Sequence, residues 1–467
     1  MTSSDFSLGN GRFGIACRVP MACLVGSVAM LVAPVAIAAV LPADGGAFER
    51  EASPSEGGLT SHQVHRSRFA DADRNPGGRQ IDEEGDLLII AFDPWIPNVE
   101  PLAAHKSSIG INTTIVGVSA IGSDPQTIRS YIESVYETSD LAFVLLVGDV
   151  DHVPTFYAMG GPSDPSYAKV AGGDDYPDVL VGRFSAGTAA HVDTQVLRTI
   201  EYETNCATEQ EWFWRGAGIG SDPAALDAIR DALLAHGYTD VDQLYDPDVT
   251  PAMIAAALND GRGIINYIGH ASSALWMTGP FSVDDVHTLA NDNMLPFIFS
   301  SASANGRFDT DECLAEAWLR AQHGSAPTGA IAAFMASGNL YYMEAQTAHD
   351  EFIDLYVGGA YHTFGGLCFG ATSRLIDEYG DSGVQTFDIW TLFGDPSLCV
   401  VGTVAQPTSS DFDDDGDTDL YDACVFQSCF SDSPVTCNCA TFDFDHNQAI
   451  ELSDYAEFYG GLTGPQP

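Results

Sequence analysis

Two residues that could carry acyl-transfer chemistry each follow an apolar run. His270 follows GIINYIG, and Ser303 lies in PFIFSSASANG, where an apolar run passes into small and polar residues. Side chains that follow buried parallel strands meet at the carboxyl edge of an open α/β sheet. A hydroxyl attacks well when a neighbouring base accepts its proton. The sequence therefore indicates that His270 and Ser303 could face each other across neighbouring strands, although a lone histidine at a strand end is more often a structural hydrogen-bonding residue.

The residues around both positions alternate between strand-like and helix-like patterns from Asp86 onward. Fully apolar runs such as LAFVLLV indicate buried strands, and amphipathic stretches such as DPQTIRSYIESVYE, which opens on Asp-Pro, indicate helices. Strands and helices that alternate at this interval favour right-handed crossovers and a parallel sheet with helices on both faces. We therefore predict an α/β fold made of two parallel-sheet halves.

The charge of the chain excludes two classes of partner. Its 467 residues include 65 acidic and 18 basic side chains, which give a formal net charge of -47 and a pI near 4.1. Such a surface repels the phosphates of nucleic acids and the headgroups of anionic lipids. We expect no nucleic-acid partner, and no membrane partner once an export signal has been removed.

The first residues of the chain have the pattern of an export signal. An apolar run at residues 21–40 follows Arg12 and Arg18 and contains a small-residue cleavage pattern at 36–38. A transmembrane anchor is the alternative, but glycine, serine and proline interrupt the run and no basic cluster follows it. We therefore predict a signal peptide at residues 1–38 and a secreted, extracellular protein, with the bacterial cell surface as one destination.

Near the C-terminus, DFDDDGDTDLYD and DFDHNQAIELSD repeat the spacing of a calcium loop, with oxygen ligands at loop positions 1, 3, 5, 7, 9 and 12. The predicted Ca²⁺ ligands are Asp411, Asp413, Asp415, Asp417, Asp419 and Asp422, then Asp443, Asp445, Asn447, Ala449 through its carbonyl, Glu451 and Asp454. The first loop has Gly416 at its sharp turn, whereas the second has Gln448, a weaker fit. A disordered acidic tail is the alternative.

Each predicted calcium loop precedes an apolar helix start, ACVFQSCF and YAEFYGG. This repeated loop-helix pair resembles a dockerin, the duplicated calcium module of secreted bacterial proteins. The resemblance implies a small α-helical, EF-hand-like module that docks onto a partner protein, although a stabilising appendage is equally consistent with it. Four cysteines lie between the two helix starts and could form two disulfides or, as the alternative, a zinc site: Cys424, Cys429, Cys437 and Cys439.

From about Asp86 to Val401 the chain resembles the catalytic domain of the gingipains, secreted cysteine peptidases with a caspase-like fold. The resemblance rests on several stretches in the family's order, among them FVLLVGDVDHVP, INYIGHASSALW, LPFIFSSASANGRF, PTGAIAAFMAS and WTLFGDPSL. It implies a caspase-like catalytic domain and a polypeptide substrate. We accordingly predict a flexible lead-in at 39–84, a gingipain-like domain at 85–403, a linker at 404–410 and the dockerin-like module at 411–467.

The resemblance also implies roles for four residues. His270 corresponds to the family's general acid/base, Asp222 to an acid that orients it, and Ala271 to a glycine whose N–H helps hold the oxyanion. Ser303 stands where the family has its nucleophilic cysteine. A serine keeps its proton until the attack itself, whereas a thiol ionises readily beside an imidazolium. Two interpretations follow: a working serine triad, or an inactive pseudopeptidase that acts as a secreted binding protein.

Other carboxylates leave alternatives open. The position at which gingipains carry an acid for a basic P1 side chain falls on Pro223, so an Arg or Lys preference is not expected. Asp227 could replace that acid, but a helix-capping role is favoured. The carboxylates of GDVD and GGDD could bind calcium, as family members do in this domain, although turn and cap roles are favoured.

Overall fold

The computed structural model describes residues 81, 83, 85–205, 210–402, 426, 442 and 450–461 of the chain. The predicted signal peptide, most of the lead-in, the linker and the four tail cysteines lie outside the described residues. So do ten of the predicted calcium ligands: Asp411, Asp413, Asp415, Asp417, Asp419, Asp422, Asp443, Asp445, Asn447 and Ala449. Among the helices that are described, none is both long and apolar enough to cross a membrane.

The first half of the main domain alternates between strands and helices, with additional short 3-10 turns. In chain order its elements are β1 (Asp86–Ala91), α1 (Ile96–Ser108), β2 (Thr113–Gly117), α2 (Val118–Ile121), α3 (Pro125–Tyr136), β3 (Leu141–Val147), β4 (Phe156–Ala158), β5 (Gly161–Ser163), β6 (Leu180–Phe184) and α4 (Ala189–Asn205). Helix α3 begins as its sequence predicts, because the Asp124 carboxylate accepts the Thr127 N–H at 3.0 Å and Pro125 takes the first helical position. Such a cap stabilises a helix by about 1 kcal/mol.

The second half continues the alternation and adds small hairpins. Its elements are β7 (Arg215–Gly220), α5 (Pro223–His236), β8 (Asp240–Tyr245), α6 (Pro251–Asn259), β9 (Ile264–Ile268), β10 (Ala271–Ser272), β11 (Leu275–Trp276), β12 (Phe281–Ser282), α7 (Val283–Val286), β13 (Phe297–Ser301), α8 (Leu314–Arg320), β14 (Gln322–His323), β15 (Ala326–Pro327), β16 (Ala332–Ala336), α9 (Tyr342–Val357), α10 (Phe364–Tyr379), α11 (Asp381–Asp388) and β17 (Trp390–Phe393). Nearer the C-terminus, α12 spans Leu452–Gly461.

Ten strands of the two halves form one sheet, in the order β2-β1-β3-β6-β17-β16-β13-β9-β7-β8. All neighbouring pairs in it run parallel except β16 and β17. The predicted α/β class with a mainly parallel sheet is confirmed. The two halves are not separate sheets, however, because β17 pairs with β16 on one side and, through Phe393 and Arg183, with β6 on the other.

Strand β13 shows how the core is divided between the two faces of the sheet. Phe299 points toward α9, where its ring centroid lies 4.4 Å from that of Phe352. The neighbouring Ile298 belongs to the cluster on the opposite face, with Trp318 of α8. Burying each of these side chains contributes about 1.5 to 3 kcal/mol. Because successive residues of a strand alternate, Ser301 lies on the α9 face and Ser300 on the α8 face.

Packed structure begins before the predicted domain boundary at residue 85. Ile81 is buried, and the Glu83 carboxylate accepts hydrogen bonds from the backbone N–H groups of His362 and Thr363 at 2.8 and 2.7 Å. These contacts cap the beginning of α10, where orphan N–H groups favour a carboxylate. The end of the predicted flexible lead-in is therefore tied to the main domain.

The described part of the tail contains a small aromatic cluster. The ring centroid of Phe426 lies 5.3 Å from that of Phe442 and 4.7 Å from that of Phe458 on α12. Asp454, a predicted calcium ligand, is fully buried, and its carboxylate accepts the Glu451 N–H at 2.9 Å. The tail residues that can be described are thus packed rather than spread along an extended chain.

Candidate active site

Strands β7, β9 and β13 are neighbours and end at the same level of the sheet, because their last residues pair with one another. Asp222, His270 and Ser303 each lie two residues beyond the end of one of these strands. Neighbouring strands in a sheet are about 4.8 Å apart. The structure therefore brings the three residues that the sequence singled out to one carboxyl edge, on three adjacent strands.

Ser303 lies in a turn that follows β13. Its half-buried Oγ accepts a hydrogen bond from the Leu340 N–H at 3.1 Å. The next residue, Ala304, has a φ of 60°, in the left-handed region that non-glycine residues rarely adopt, and its N–H donates to the Gly338 carbonyl at 2.8 Å. Because the Ser303 Oγ acts as the acceptor in its contact with Leu340, its hydroxyl proton remains available for transfer to a base.

The Asn-Gly pair that follows this turn fixes it against β16. A Cβ on Gly306 would lie 2.6 Å from the Met335 carbonyl oxygen, far inside van der Waals contact. The Gly306 N–H donates to the Ala336 carbonyl at 2.9 Å. Only glycine allows this close approach of two backbones, so the turn that presents Ser303 depends on Gly306.

His270 combines a fixed backbone with an exposed ring. Its carbonyl accepts hydrogen bonds from the Tyr267 hydroxyl at 2.7 Å and from the Met277 N–H at 2.9 Å. The Tyr267 ring is itself stacked on Trp276, with centroids 4.3 Å apart. Within the described ranges, the His270 imidazole has no hydrogen-bond partner. The backbone of His270 is therefore held by two hydrogen bonds, while its ring nitrogens remain without one in the described part of the chain.

Ala271 presents its backbone N–H away from its hairpin partner. It pairs with Trp276 in the β10–β11 hairpin, and the adjoining bond from the Met277 N–H to the His270 carbonyl makes this a non-hydrogen-bonded pair. Strand β10 is also an edge strand, so no further strand takes that N–H. The φ of Ala271 is not positive, and alanine therefore replaces the expected glycine here without backbone strain.

The carboxylate of Asp222 binds Ala225 and Tyr342 instead of His270. One oxygen accepts the Ala225 N–H at 3.2 Å as the N-cap of α5, and the other accepts the hydroxyl of Tyr342. This bond to the carboxylate, with some desolvation, raises the pKa of Tyr342 to about 12. A hydrogen bond to His270 is not among the contacts of Asp222. The sequence predicted Asp222 at this edge but not its hydrogen bond with Tyr342.

The segment from Leu340 to Met343, which includes the first residues of α9, contacts both Ser303 and Asp222. Leu340 binds Ser303 and Tyr342 binds Asp222, while three successive side chains, Tyr341, Tyr342 and Met343, are 55%, 59% and 60% exposed. A contiguous group of exposed apolar side chains often marks a binding surface. The sequence signal for this segment is the GNLYYM run directly after a buried strand, and the sequence analysis missed it.

The predicted capping role of Asp227 is wrong. Its Oδ1 accepts hydrogen bonds from Gln243 Nε2 at 2.6 Å and from the Tyr245 hydroxyl at 2.9 Å, both on β8. Asp222 caps α5 instead. Asp227 therefore joins the helix to the edge strand of the sheet, and its carboxylate is already engaged by this chain.

The carboxylates of GDVD and GGDD make local contacts. Asp149 Oδ1 accepts the Asp151 N–H at 3.0 Å, and Asp174 Oδ1 accepts the Tyr176 N–H at 3.1 Å. Asp175 lies 3.4 Å from Lys169 Nζ. Among the described residues, no group of three or more His, Cys, Asp or Glu side chains has a geometry that could hold a metal ion. The favoured turn roles fit Asp149 and Asp174, whereas Asp175 forms an ion pair.

Cys313 has no place in the site. It is fully buried at the beginning of α8, and burial raises the pKa of its thiol well above the ordinary value. A protonated thiol in the core is a poor nucleophile. Ser303 is therefore the nucleophile candidate at the sheet edge that also carries His270.

Comparison with known proteins identifies the family of the chain. Residues 80–401 match the model of peptidase family C25. The chain is 33% identical over 368 residues to gingipain R1 of Porphyromonas gingivalis, an alignment that covers 74% of this chain and 37% of that protein. It is also 33% identical to gingipain R2 of the same species, with 68% and 46% covered. The chain thus spans less than half the length of these curated relatives.

Solved structures give the same result. The crystal structure of the Arg-specific cysteine proteinase gingipain R superposes with a TM-score of 0.67 at 32% identity, and it covers 69% of this chain and 80% of that one. A complex of pro- and mature domains from Porphyromonas gingivalis superposes with a TM-score of 0.66 at 33% identity, with 68% and 80% covered. The residues matched by the family model, 80–401, include β7, β9 and β13 and the residues at their ends. This chain therefore belongs to peptidase family C25.

Proposed function

We propose that this chain is a secreted peptidase in which Ser303 is the nucleophile and His270 the general base. The observation that carries the proposal is the carboxyl edge itself: a hydroxyl with an available proton and an imidazole with unoccupied nitrogens follow adjacent strands at one level. Nucleophile and base must come within hydrogen-bonding reach of each other for acyl transfer. The position of both residues just beyond neighbouring parallel strands, which lie about 4.8 Å apart, supports such proximity.

In the proposed reaction, Ser303 Oγ bonds to the carbonyl carbon of the scissile peptide and its proton moves to His270. The carbonyl oxygen takes the negative charge, which the N–H groups of Ala271 and Ser303 stabilise, since the described backbone gives neither of them a partner. The C–N bond then breaks, and His270 returns the proton to the leaving amine. Water hydrolyses the resulting ester by the same steps, which regenerates Ser303.

The hydrogen bond from the Leu340 N–H to Ser303 Oγ favours the use of a serine as nucleophile at this position. An N–H that donates to Oγ stabilises negative charge on that oxygen as its proton departs. It also holds the side chain in one orientation. In this scheme Asp222 lies at the same level of the sheet edge as His270, and Tyr342 and α5 hold its carboxylate in place.

The proposed substrate is a polypeptide, without the basic P1 residue that the name of the Arg-specific relative indicates. The position that corresponds to the relatives' P1-binding acid is Pro223. Asp227, the nearest replacement, is held by Gln243 and Tyr245. An acid that already binds two donors of its own chain recognises an arginine poorly.

A second candidate function is a pseudopeptidase that binds polypeptides without cleaving them. It is favoured by the serine in the nucleophile position and by the engagement of Asp222 with Tyr342 rather than with His270. In this version the same edge still holds an extended peptide, but proton transfer from Ser303 is too slow for turnover.

Peptide-library profiling of the wild type and of Ser303→Cys separates these functions. Hydrolysis by the wild type that Ser303→Ala abolishes supports the serine peptidase. Hydrolysis by Ser303→Cys alone supports a cleft that is intact but lacks its thiol. If neither protein cleaves any peptide and neither binds the library, both functions are excluded.

The proposal extends to the C-terminal module, which would bind Ca²⁺ and dock or stabilise the secreted protein. Support comes from the repeated spacing of oxygen ligands and from the buried Asp454 carboxylate beside the aromatic cluster. If the module binds Ca²⁺, chelation should lower the melting temperature of a transition that a chain ending at residue 403 lacks. An identical melt with and without chelator would contradict calcium binding.

A further inference from the structure

Directly below the candidate site lies a buried chain of hydrogen bonds centred on His349. Its Nδ1 is 2.8 Å from Ser301 Oγ, and its Nε2 is 2.9 Å from Asn266 Oδ1. Ser301 Oγ also lies 3.2 Å from the Ala345 carbonyl. The exposed fractions of Ser301, His349 and Asn266 are 6%, 0% and 0%. None of these residues takes part in the proposed reaction.

The ring of His349 is neutral and bonded on both sides. Burial without a charged partner lowers the pKa of His349 to about 3. A neutral imidazole donates through one nitrogen and accepts through the other, so each of its two neighbours has a defined role. The ring also packs against Phe299, with centroids 4.7 Å apart. One side chain therefore fixes the distance and direction of two polar partners at once.

These partners belong to the elements that carry the candidate site. Asn266 lies on β9, the strand that leads to His270, and Ser301 is the last residue of β13, which leads to Ser303. His349 lies on α9, the helix that begins with Tyr342. The network therefore joins two strands and one helix just before the points at which each reaches the site.

A second catalytic triad is not the explanation for this arrangement. Serine, histidine and asparagine are linked here in the order of nucleophile, base and orienting residue. However, His349 and Asn266 have no exposed surface, and a substrate cannot reach Ser301 without unfolding the sheet edge. The contacts of the network are directional and internal, which suits a role in placing other residues.

We infer that His349 is a positioning residue: by holding Ser301 and Asn266 it sets β9, β13 and α9 in the one arrangement that aligns His270 with Ser303. Apolar packing alone is tolerant of small shifts between elements, whereas buried directional hydrogen bonds, such as those of His349 to Ser301 and Asn266, select one arrangement. Misplacement of a nucleophile by about 1 Å can lower a rate by about a hundredfold. This inference rests on the proposed function for its consequence, but its geometric part can be measured without turnover.

The test uses two variants and a matched control. Ser301→Ala removes the hydroxyl, and His349→Phe removes both ring hydrogen bonds while it keeps a ring of similar size. Thr199→Val is the control, because Thr199 is also a fully buried residue whose hydroxyl makes one hydrogen bond, to Gln195, on α4 in the first half. Ser301→Ala keeps the test available if His349→Phe does not fold.

The first readout is hydrogen exchange at the Leu340 amide, which reports on its bond to Ser303 Oγ. We expect exchange at Leu340 to accelerate about tenfold or more in Ser301→Ala relative to Thr199→Val, after correction for global stability. The second readout is the rate of iodoacetamide alkylation against pH in a Ser303→Cys background. There, Ser301→Ala should raise the apparent pKa of the introduced thiol by about one unit, because the imidazole is less well aligned with it.

The two readouts distinguish the two hypotheses. If His270→Ala leaves the alkylation profile of the Ser303→Cys chain unchanged, the proposed function fails, and the Leu340 exchange still tests the positioning role. If Ser301→Ala and the folded His349→Phe match Thr199→Val in both Leu340 exchange and alkylation, the positioning role of His349 is overturned.

Discussion

The two halves of the sheet each place a histidine at a carboxyl edge, but in opposite states. In the first half, His152 Nδ1 lies 2.6 Å from Asp149 Oδ1, and the ring is packed 4.6 Å from Phe92 and 4.4 Å from Trp95. In the second half, His270 has an exposed ring without such a partner in the described part of the chain. An Asp–His pair at a strand end is therefore not, by itself, a sign of catalysis.

The serines of the two edges differ in the same way. Ser185 follows β6 and is buried, and its hydroxyl donates to the Glu316 carboxylate at 2.7 Å. Ser303 follows β13, and its Oγ accepts from Leu340 and keeps its proton. Structural and functional side chains can therefore share a residue type and a position at a strand end. They differ in whether the hydroxyl proton or ring nitrogen that the reaction needs already forms a hydrogen bond or ion pair within the fold.

The largest expected difference is between the two serines. Ser303→Ala should lower peptide hydrolysis by about a thousandfold or more with little change in stability, because it removes the nucleophile from a half-exposed turn. Ser185→Ala should retain most activity and lose about 1 to 3 kcal/mol of stability, because Glu316 loses a buried donor. Steady-state kinetics and urea unfolding of both variants provide the measurements. If the two variants had equal activity, Ser303 would not differ from Ser185 in its role, and the serine-nucleophile assignment would fail.

Substitution of the two histidines should also change kcat unequally, but the ratio between the two variants should be smaller than for the two serines. His270→Ala removes the general base and is expected to lower kcat by about a hundredfold to ten-thousandfold. His152→Ala disrupts packing against Phe92 and Trp95, so we expect reduced stability and nearly unchanged kcat. Activity assays well below the melting temperature of each variant separate the two effects. If His152→Ala lowered kcat more than His270→Ala, the catalytic histidine would be His152 and the structural one His270.

The acids of the two edges bind different partners, which can be measured spectroscopically. Asp149 binds a histidine, whereas Asp222 binds the Tyr342 hydroxyl and raises its pKa to about 12. Asp222→Asn should bring the pKa of Tyr342 back toward the ordinary 10.0. Carbon-13 NMR of labelled tyrosine, with Tyr342→Phe to assign the signal, measures this shift. A Tyr342 pKa unchanged in Asp222→Asn would show that the bond does not form in solution.

A third histidine, His349, also makes the stability of the fold depend on pH. Its pKa in the folded protein is about 3, below the ordinary 6.5, because burial disfavours the charged ring. Between these values the unfolded chain binds more protons, so this group's contribution to stability is lost as pH falls from about 6.5 toward 3. The expected slope is at most about 1.4 kcal/mol per pH unit. His349→Gln should flatten the slope of unfolding free energy against pH, and an unchanged slope would contradict the neutral buried ring.

Much of the fold follows from local sequence patterns. The seven apolar residues of β3 are all buried, and α3 begins at the Asp-Pro pair that predicted it. The long-range pairing of β17 with β6 and β16 could not be predicted in this way. Strand partners that are distant in the chain are selected by the packing of whole layers, and no local pattern encodes that choice.

The sequence by itself determined the α/β class, the acidic surface and the residues that end β7, β9 and β13, because apolar periodicity and strand-end position are local properties of the chain. Only the tertiary structure decided which polar atoms remain free. Asp222 binds Tyr342, Ser303 accepts from Leu340, and His349 holds Ser301. Each of these hydrogen bonds joins residues far apart in the chain, so it exists only after the helix α9 has packed against the edge of the sheet.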